Sequence, residues 1–347
     1  MELPTKIRVA LDAMGGDYAP QREVAGAVNV FRHHSDSIEV VLVGDEPILK
    51  KELRKHGLGE NAIPIVHAPE VISMEDAPTA ALKQKKNSSL AIGMHLHKEG
   101  KVDSFVSAGN TGAVLSAATL ILGRIKGVSR PTIGTFMPAE KKMCLLLDSG
   151  ANVDCKARQL YEFAVMGSIY VRHIFQKKDP TVGLLNIGEE KTKGTQEVLK
   201  AYEMLASSAL NFVGNVEGRD IFKVKADVVV CDGFVGNAIL KFGESFPSFL
   251  KSRLRQYAKS GLIRKLLVGI SMAPLKASLR VLDPNEQGGV PVLGVNGVVI
   301  VGHGSSSPKG IRNMILRAAE VVRNNVNTHI EQALHSENLK PEEKRKE

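Results

Sequence analysis

Short apolar runs alternate along the chain with longer segments in which apolar residues recur every three or four positions. The short runs, which we predict to be strands, are 7–11, 39–43, 102–106, 145–147, 182–185, 228–230 and 298–301. Most are continuously apolar, which is typical of strands buried on both faces of a parallel sheet. Because helical segments separate them, the sequence predicts a doubly wound α/β fold, a mostly parallel sheet with helices on both faces.

Each predicted strand is followed by a turn rich in Gly, Asn, Asp or Ser. Three of these turns are Asp12–Asp17 (DAMGGD), Ser107–Ala113 (SAGNTGA) and Gly302–Ser307 (GHGSSS). In doubly wound sheets, ligands bind beyond the carboxyl ends of the strands, where backbone N–H groups can surround a small anion. We therefore expect an anion site there, with these candidate binding residues: Asp12, Gly15, Gly16, Ser107, Gly109, Thr111, Asn186, Gly304 and Ser305.

Three further residues of these turns are candidates for catalysis. Lys193, in the turn NIGEEKTKG, could hold a phosphate or stabilise an oxyanion as a point charge. His303 could transfer a proton, and Asn110 stands between two glycines at a predicted helix start. Each has a structural alternative as well: a solvated lysine, a structural histidine and a helix cap. The pattern alone leaves these alternatives open.

The positive charge is concentrated in one segment. The chain has a formal net charge of +9, and residues 245–282 contain eight Lys and Arg residues but no Asp or Glu. Apolar residues at helical spacing predict two short amphipathic helices joined near Ser260-Gly261, protruding from the α/β body. The basic face is either simply solvated or a surface for anionic lipid or an acidic protein, and the residues that would form such a surface are Lys251, Arg255, Lys259, Leu262, Arg264, Lys265 and Leu266.

Composition excludes several classes of protein. Hydrophobic residues make up 43% and charged residues 24%, as in ordinary globular chains. The three cysteines are widely spaced, which argues against a disulfide framework or a zinc site and favours a reducing compartment. The motifs of P-loop, dinucleotide-binding, serine-hydrolase and zinc-protease sites are absent. With no Trp and no nucleic-acid-binding motif, we expect no nucleic-acid partner.

The chain organisation is simple. We predict one α/β domain over 1–336, with 245–282 as its protruding subdomain and 337–347 as a charged, flexible tail. Residues 104–123 carry no charge, but the GNTG turn at 109–112 favours a strand, a turn and a buried helix over a membrane span. The N-terminus lacks an apolar stretch, so we expect no signal peptide.

Seven segments resemble a known family, in the same order across nearly the whole chain. They are Asp12–Pro20, Ser107–Ala113, Leu147–Asp154, Leu184–Gly194, Val213–Gly218, Asp232–Lys241 and Gly288–Gly304. The chain resembles the bacterial phosphate acyltransferases of membrane phospholipid synthesis, the PlsX family. Ser149 and Gln287 depart from that family's commoner valine and tyrosine without changing a charge.

The resemblance implies a reaction and a set of partners. Acyl-[acyl carrier protein] and inorganic phosphate would give acyl phosphate and the free carrier, with neither cofactor nor metal. It also implies a homodimer with a fold like phosphate acetyltransferases and isocitrate dehydrogenases. The product would pass to a membrane glycerol-3-phosphate acyltransferase, which places the chain in the cytoplasm, peripherally associated with the inner face of the cell membrane.

On this basis we expect direct attack of phosphate on the thioester. The Gly109–Thr111 and His303 turns would hold phosphate, Lys193 would neutralise charge, and Asn152, Asp232 and Asn237 would orient the groups. The alternatives are a phosphate acetyl- or butyryltransferase that uses acyl-coenzyme A, an NAD-dependent decarboxylating dehydrogenase, and a non-catalytic basic protein. The last would leave the glycine-rich strand ends unexplained.

Overall fold

The computed structural model describes residues 6–140, 143–223 and 225–338. Within these ranges eleven strands form one sheet: β1 Ile7–Asp12, β2 Ile38–Gly44, β3 Ile65–His67, β4 Ser104–Ser107, β5 Thr132–Pro138, β6 Met143–Leu147, β7 Thr181–Leu185, β8 Asn211–Val216, β9 Val228–Val230, β10 Val290–Leu293 and β11 Val298–Val301. The seven predicted strands are confirmed. Those that the apolar pattern missed are β3, β5, β8 and β10, which are short or interrupted by polar residues, Gly or Pro.

Twelve α-helices are described: α1 Gln21–His34, α2 Glu46–Lys55, α3 Pro78–Gln84, α4 Ser89–Lys98, α5 Thr111–Ala117, α6 Ala157–Ile174, α7 Gln196–Ala206, α8 Gly233–Lys259, α9 Leu262–Ser278, α10 Pro284–Gln287, α11 Pro308–Arg323 and α12 Val326–Asn338. A π-helical turn follows α5 at Ala118–Leu122, and 3₁₀ turns lie at Gly218–Asp220 and Leu279–Leu282.

The strands run in two opposing sets. Their order is β3-β2-β1-β4-β11-β10-β5-β6-β9-β7-β8. The pairs are parallel except at β11–β10, β10–β5 and β5–β6, which are antiparallel. These three reversals turn β6, β9, β7 and β8 opposite to β1, β2, β3, β4 and β11. The carboxyl ends of the two sets therefore lie at opposite edges of one sheet.

Both faces of the sheet are buried, as the continuous apolar runs predict. In β1, Val9 and Leu11 belong to the apolar cluster that contains side chains of α1, α6, α11 and α12. Ala10 points to the other cluster, with side chains of α4 and α5. The predicted α/β class, with helices on both faces of a mostly parallel sheet, is confirmed.

The helix that enters the cationic segment begins earlier than predicted. The helix that enters it, α8, starts at Gly233 and runs for 27 residues, so it is one long helix continuous with the turn after β9. The predicted break is confirmed, since α8 ends at Lys259 and α9 starts at Leu262. Helix α8 buries only Gly233 and Gly236, and α9 has no buried residue among those described.

Two further predictions concern a membrane span and the carboxyl-terminal tail. No helix in the described ranges is long and apolar enough to cross a membrane, and residues 104–123 form β4, a turn, α5 and the π-helical turn. At the carboxyl end, α12 continues to Asn338, two residues into the predicted tail. The rest of that tail, 339–347, lies outside the described residues.

Candidate functional site

The turns after β1, β4 and β11 meet at one edge of the sheet. Val301 at the end of β11 pairs with Ser107, and Val106 pairs with Leu11 of β1. We call the assembled turns, residues 12–17, 107–111 and 302–307, the glycine-loop site. Parallel neighbours bring their carboxyl ends together, so these three turns lie side by side as the sequence predicts, and anion binding by them stays a prediction.

The turns after β1 and β4 touch backbone to backbone. A Cβ on Gly15 would lie 3.1 Å from the Cα of Gly109 and would collide with the Asp12 carboxylate. A Cβ on Gly109 would lie 3.2 Å from both the Cα and the carbonyl oxygen of Gly15. A side chain at Gly15 would collide, and one at Gly109 would push the two turns apart, so glycine at both positions allows this close approach.

The buried carboxyl group of Asp12 holds the turns after β1 and β4 together. The Ser107 hydroxyl donates to Oδ2 of Asp12 over 2.7 Å, and the Gly109 N–H donates to Ser107 Oγ over 3.0 Å. Asp12 is only 2% exposed, and this burial raises its pKa against the hydrogen bonds that lower it. Asp12 and Ser107, both predicted as binding residues, therefore have a structural role: their hydrogen bonds hold the turns in shape.

Several backbone donors at the site are unused. Within the described ranges, the N–H groups of Gly15, Gly16, Asn110 and Gly304 have no acceptor in the chain, although Gly15 and Gly304 are buried. Buried N–H groups normally find a partner. A small anion would satisfy them, since converging amides are a common device for phosphate binding.

The hydrogen bonds of His303 define the tautomer of its neutral ring. Its Nδ1 accepts the Ser305 N–H over 3.1 Å and lies 2.8 Å from Ser305 Oγ. A ring nitrogen that accepts is unprotonated, so the neutral imidazole carries its proton on Nε2. The ring is exposed at the rim of the site, and its Nε2–H is available to a ligand.

The side chain of Asn110 is hydrogen-bonded within the protein, whereas Thr111 is exposed. The side chain of Asn110 accepts the Ala113 N–H over 3.1 Å, which caps α5. Its Nδ2 lies within 3.3 Å of the carbonyl oxygens of Ser73, Met74 and Asp76. These bonds favour the helix-cap interpretation for the Asn110 side chain and leave its backbone N–H for a ligand. Thr111 is exposed at the first position of α5.

Two neighbours of the site were missed by sequence reasoning. Arg22 on α1 donates to the carbonyl oxygen of Ser305 over 2.6 Å and stacks on the Tyr18 ring. Glu23 is 1% exposed, and its Oε2 has no hydrogen-bond partner within the described chain. The available signal was a charged pair one residue after the DAMGGDYAP turn, whose last residue, Pro20, precedes a helix.

A second group lies at the other edge, after β6 and β9. The Asp148 carboxylate accepts the N–H groups of Gly150, Ala151 and Asn152 over 2.8 to 2.9 Å. The Nδ2 of Asn152 is used within the protein, because it donates to Asp148 over 2.6 Å and to the carbonyl of Pro131 over 2.8 Å.

The start of α8 rests on this turn. Asp232 caps α8 by accepting the Val235 N–H over 2.9 Å. A Cβ on Gly236 would collide with the carbonyl oxygen of Asp148, so the backbones of α8 and of the Asp148 turn are in direct contact at this glycine. Asn237 is exposed, and its side chain lies next to Gly150. Among Asn152, Asp232 and Asn237, it is the side chain that remains exposed to solvent.

Lys193 stands on the turn after β7, at the same edge. The Nδ2 of Asn186 donates to the Lys193 carbonyl over 2.9 Å and so shapes the turn. The Lys193 side chain is exposed and has no ion pair among the described residues. Its charge is therefore available to a ligand.

The candidate residues thus form two assemblies in one chain. Asp12, Gly15, Gly16, Ser107, Gly109, Asn110, Thr111, His303, Gly304 and Ser305 lie in the glycine-loop site, whereas Asn152, Asn186, Lys193, Asp232 and Asn237 lie at the opposite edge. The strand length between the edges is about 16 Å. The expectation that one chain brings all of them together is corrected, because the antiparallel pairs of β10 and β5 reverse the second set of strands.

The cysteines lack the properties of nucleophiles. Burial raises the pKa of Cys144 and of Cys155 to about 12 and that of Cys231 above its usual range. Thiolate would therefore be scarce at neutral pH. Within the described residues, no group of three or more His, Cys, Asp and Glu side chains is arranged to hold a metal ion.

The predicted cationic surface is open to solvent. All seven of its residues, Lys251, Arg255, Lys259, Leu262, Arg264, Lys265 and Leu266, are exposed. Apolar side chains are exposed among them, with Leu262 at 86% and Ile263 at 77%. Single exposed apolar residues are normal, but a cluster of them is typical of a binding surface.

Comparison with known sequences gives the family. Residues 7–329 match the model of the family described as "Fatty acid synthesis protein". A phosphate acyltransferase of Dictyoglomus turgidum is 47% identical over 332 residues, covering 95% of this chain and 98% of its own. A phosphate acyltransferase of Halothermothrix orenii is 44% identical over 334 residues, covering 95% and 99%.

Comparison with solved structures supports the fold. A phosphotransacetylase from Streptococcus pyogenes aligns with a TM-score of 0.61 at 18% identity, over 92% of this chain and 95% of its own. The EutD phosphotransacetylase from Staphylococcus aureus aligns with a TM-score of 0.60 at 16% identity, over 91% and 94%. The fold is phosphotransacetylase-like, and by its sequence the chain belongs to the phosphate acyltransferases, a family of acyl-transferring enzymes.

Proposed function

We propose that this chain transfers the acyl group of acyl-[acyl carrier protein] to inorganic phosphate, and that acyl phosphate then feeds phospholipid synthesis. The observation that carries the phosphate half is the glycine-loop site, where two chain turns touch through glycines and buried N–H groups lack acceptors. The acidic carrier is favoured as donor by the cationic helix pair α8 and α9, whose described basic side chains are exposed.

The chemistry is direct attack. An oxygen of HPO₄²⁻ bonds to the thioester carbonyl carbon, the tetrahedral oxyanion collapses, and the carbon–sulfur bond breaks. The hydrogen of the phosphate ends on the released thiol, so the products are acyl phosphate and the free carrier. No protein nucleophile is required, which agrees with the raised pKa values of the cysteine thiols.

The residues of the glycine-loop site have distinct roles in this proposal. The unpaired N–H groups of Gly15, Gly16 and Gly304 bind the phosphate oxygens. The Nε2–H of His303 donates to the phosphate, because its Nδ1 is occupied by Ser305. Asn110 acts by positioning the turn through its cap and its bonds to the Ser73–Asp76 loop.

The second group supplies positive charge from another protomer. Lys193 neutralises the phosphate or the thioester oxyanion, while Asp232 and Asn237 orient the acyl donor. Within one chain this group lies at the far edge of the sheet. We therefore propose a homodimer in which the Lys193 turn of one protomer faces the glycine-loop site of its partner.

The cationic helix pair also gives the proposed location. Exposed leucine and isoleucine side chains beside Arg264 and Lys265 suit an anionic membrane surface as well as an acidic carrier. Peripheral association with the inner face of the cell membrane would place acyl phosphate near a membrane glycerol-3-phosphate acyltransferase. The hydrophobic product would then travel only a short distance through water.

A donor assay tests the proposal. Purified protein is mixed with phosphate and either palmitoyl-carrier protein or palmitoyl-coenzyme A, and acyl phosphate is trapped with hydroxylamine. We expect product that depends on the carrier. Product from coenzyme A alone would instead favour a phosphotransacetylase-type donor, and product from neither would contradict phosphate acylation.

A further inference from the structure

A buried carboxyl group beside the glycine-loop site has no role in the steps above. Glu23 lies in the first turn of α1 and is 1% exposed. A Cβ on Gly16 would collide with its Oε1, so the carboxyl lies directly against the Gly16 turn. Its Oε2 has no hydrogen-bond partner within the described chain. A buried carboxylate oxygen without a hydrogen-bond donor is unfavourable, whereas a carboxylic acid can donate its proton to an anion.

Burial and two nearby carboxylates favour the acid form of Glu23. Burial raises its pKa most, and Asp12 at the end of β1 and Asp17 in the turn raise it further. Its own backbone N–H and Arg22, its neighbour on α1, lower it, but by less than burial raises it. The β11 turn contributes the Gly304 carbonyl, 3.4 Å from the Cβ position of Gly16. Helix α11 meets α1 through Ile311 at Gly26, with no ion pair to Glu23 among the described residues. The pKa of Glu23 is raised to about 7, mainly by burial.

We infer that phosphate binding at the glycine-loop site requires the protonated form of Glu23, so that phosphate capture takes up one proton at this side chain. The inference rests on the proposed function, because it takes phosphate as the ligand of that site. Phosphate arrives with negative charge beside the Gly16 turn, and a second buried negative charge would repel it. The protonated carboxyl removes that repulsion and offers a donor to a phosphate oxygen.

The expected sign follows from linkage. At pH 6 and below Glu23 is mostly protonated, so anion affinity depends little on this group. Above pH 7 Glu23 must take up a proton from solvent when the anion binds, so the apparent Kd rises by up to about tenfold per pH unit. Phosphate itself titrates in this range, so sulfate, whose charge is constant there, is the second probe.

The test measures phosphate and sulfate binding from pH 6 to 9 by calorimetry of the full chain. Titrations at pH 8 in two buffers of different ionisation enthalpy count the protons taken up. We expect close to one proton per sulfate for the wild type. In Glu23→Gln we expect no proton uptake and a sulfate Kd that is flat above pH 7. The control is Glu52→Gln, a buried glutamate on α2 that is 7% exposed, which keeps the wild-type dependence.

The outcomes separate this inference from the proposed function. Tight anion binding without proton uptake by the wild type would overturn the role of Glu23, even if Glu23→Gln did not fold. Equal pH dependence in the wild type and in Glu23→Gln would overturn it as well. No binding of either anion, together with no acyl phosphate in the donor assay, would overturn both.

Discussion

At the scale of single residues, close backbone contacts explain the glycines that the sequence concentrates at strand ends. Gly15 and Gly109 bring two turns together at one edge, and Gly236 does the same for α8 and the Asp148 turn at the other. Some polar side chains beside these glycines make hydrogen bonds within the protein, as those of Asn110 and Asn152 do. A motif residue can therefore be essential to a site without touching its ligand.

Asp227 shows the same structural use of a polar side chain, and it predicts a pH effect on stability. It is 4% exposed and accepts from Lys177 over 2.5 Å and from Thr181 N and Oγ1 over 2.8 and 2.6 Å. Burial raises the pKa of Asp227, but these bonds outweigh burial and hold it below the usual value. Its contribution is present above the unfolded pKa, about 3.9, and is lost as pH falls through the lower folded value.

For Asp227→Asn we expect a loss of about 1–3 kcal/mol in the free energy of unfolding at pH 7. The difference from the wild type should shrink between pH 5 and pH 2, as measured by urea unfolding at each pH. Asp36→Asn, at an exposed aspartate of the same charge, is the control and should stay near the wild type. A constant difference down to pH 2 would contradict the assignment.

At the scale of elements, α8 joins two regions that the sequence analysis treated separately. Its first turn is capped by Asp232 and rests on the Asp148 turn, while its last turns belong to the cationic surface. One continuous helix therefore connects the second group of candidate residues to the surface proposed for carrier and membrane. The prediction of a short helix from 245 failed because the glycines of DGFVGN resemble a loop, yet they allow a helix to start against another backbone.

The surface is tested by charge reversal on α9. In Arg264→Glu/Lys265→Glu we expect weaker binding to anionic vesicles or at least a severalfold higher apparent KM for the acyl-carrier, because both partners are negatively charged. The kcat should change less than KM. The measurements are vesicle co-sedimentation and initial rates at two salt concentrations.

The control for this reversal is Lys51→Glu/Lys98→Glu, which makes the same change in net charge at exposed lysines of α2 and α4. It should leave vesicle binding and KM unchanged. If both pairs of substitutions had equal effects, net charge would account for them and the surface would have no specific role.

At the scale of the whole molecule, three antiparallel pairs divide the candidate residues. Strands β10 and β5 lie between the two parallel sets and reverse the direction of the second one. The glycine-loop site and the Lys193 turn therefore occupy opposite edges of one chain. A symmetric dimer can bring such edges together because each protomer contributes both of them.

Mixed dimers test this arrangement. We expect Lys193→Ala and His303→Gln each to lose most acyl-phosphate formation. Co-expressed under two affinity tags, they should recover about half of the wild-type activity in the purified heterodimer, since one of its two sites combines two intact halves. A heterodimer of Lys193→Ala and Asn186→Ala, altered in the same turn, is the control and should show no recovery. Absence of recovery in the first heterodimer would place the complete site within one protomer.

The sequence by itself determined the fold class, seven strands and the turns at their ends, because continuous apolar runs and glycine-rich turns are local signals. It also determined the break at Ser260-Gly261 and the exposure of the cationic residues. Only the tertiary structure decided which turns meet, because strand direction depends on pairing with distant residues such as those of β10. The same holds for Glu23, whose burial and missing partner arise from the packing of α1 under the Gly16 turn and leave no local pattern in the chain.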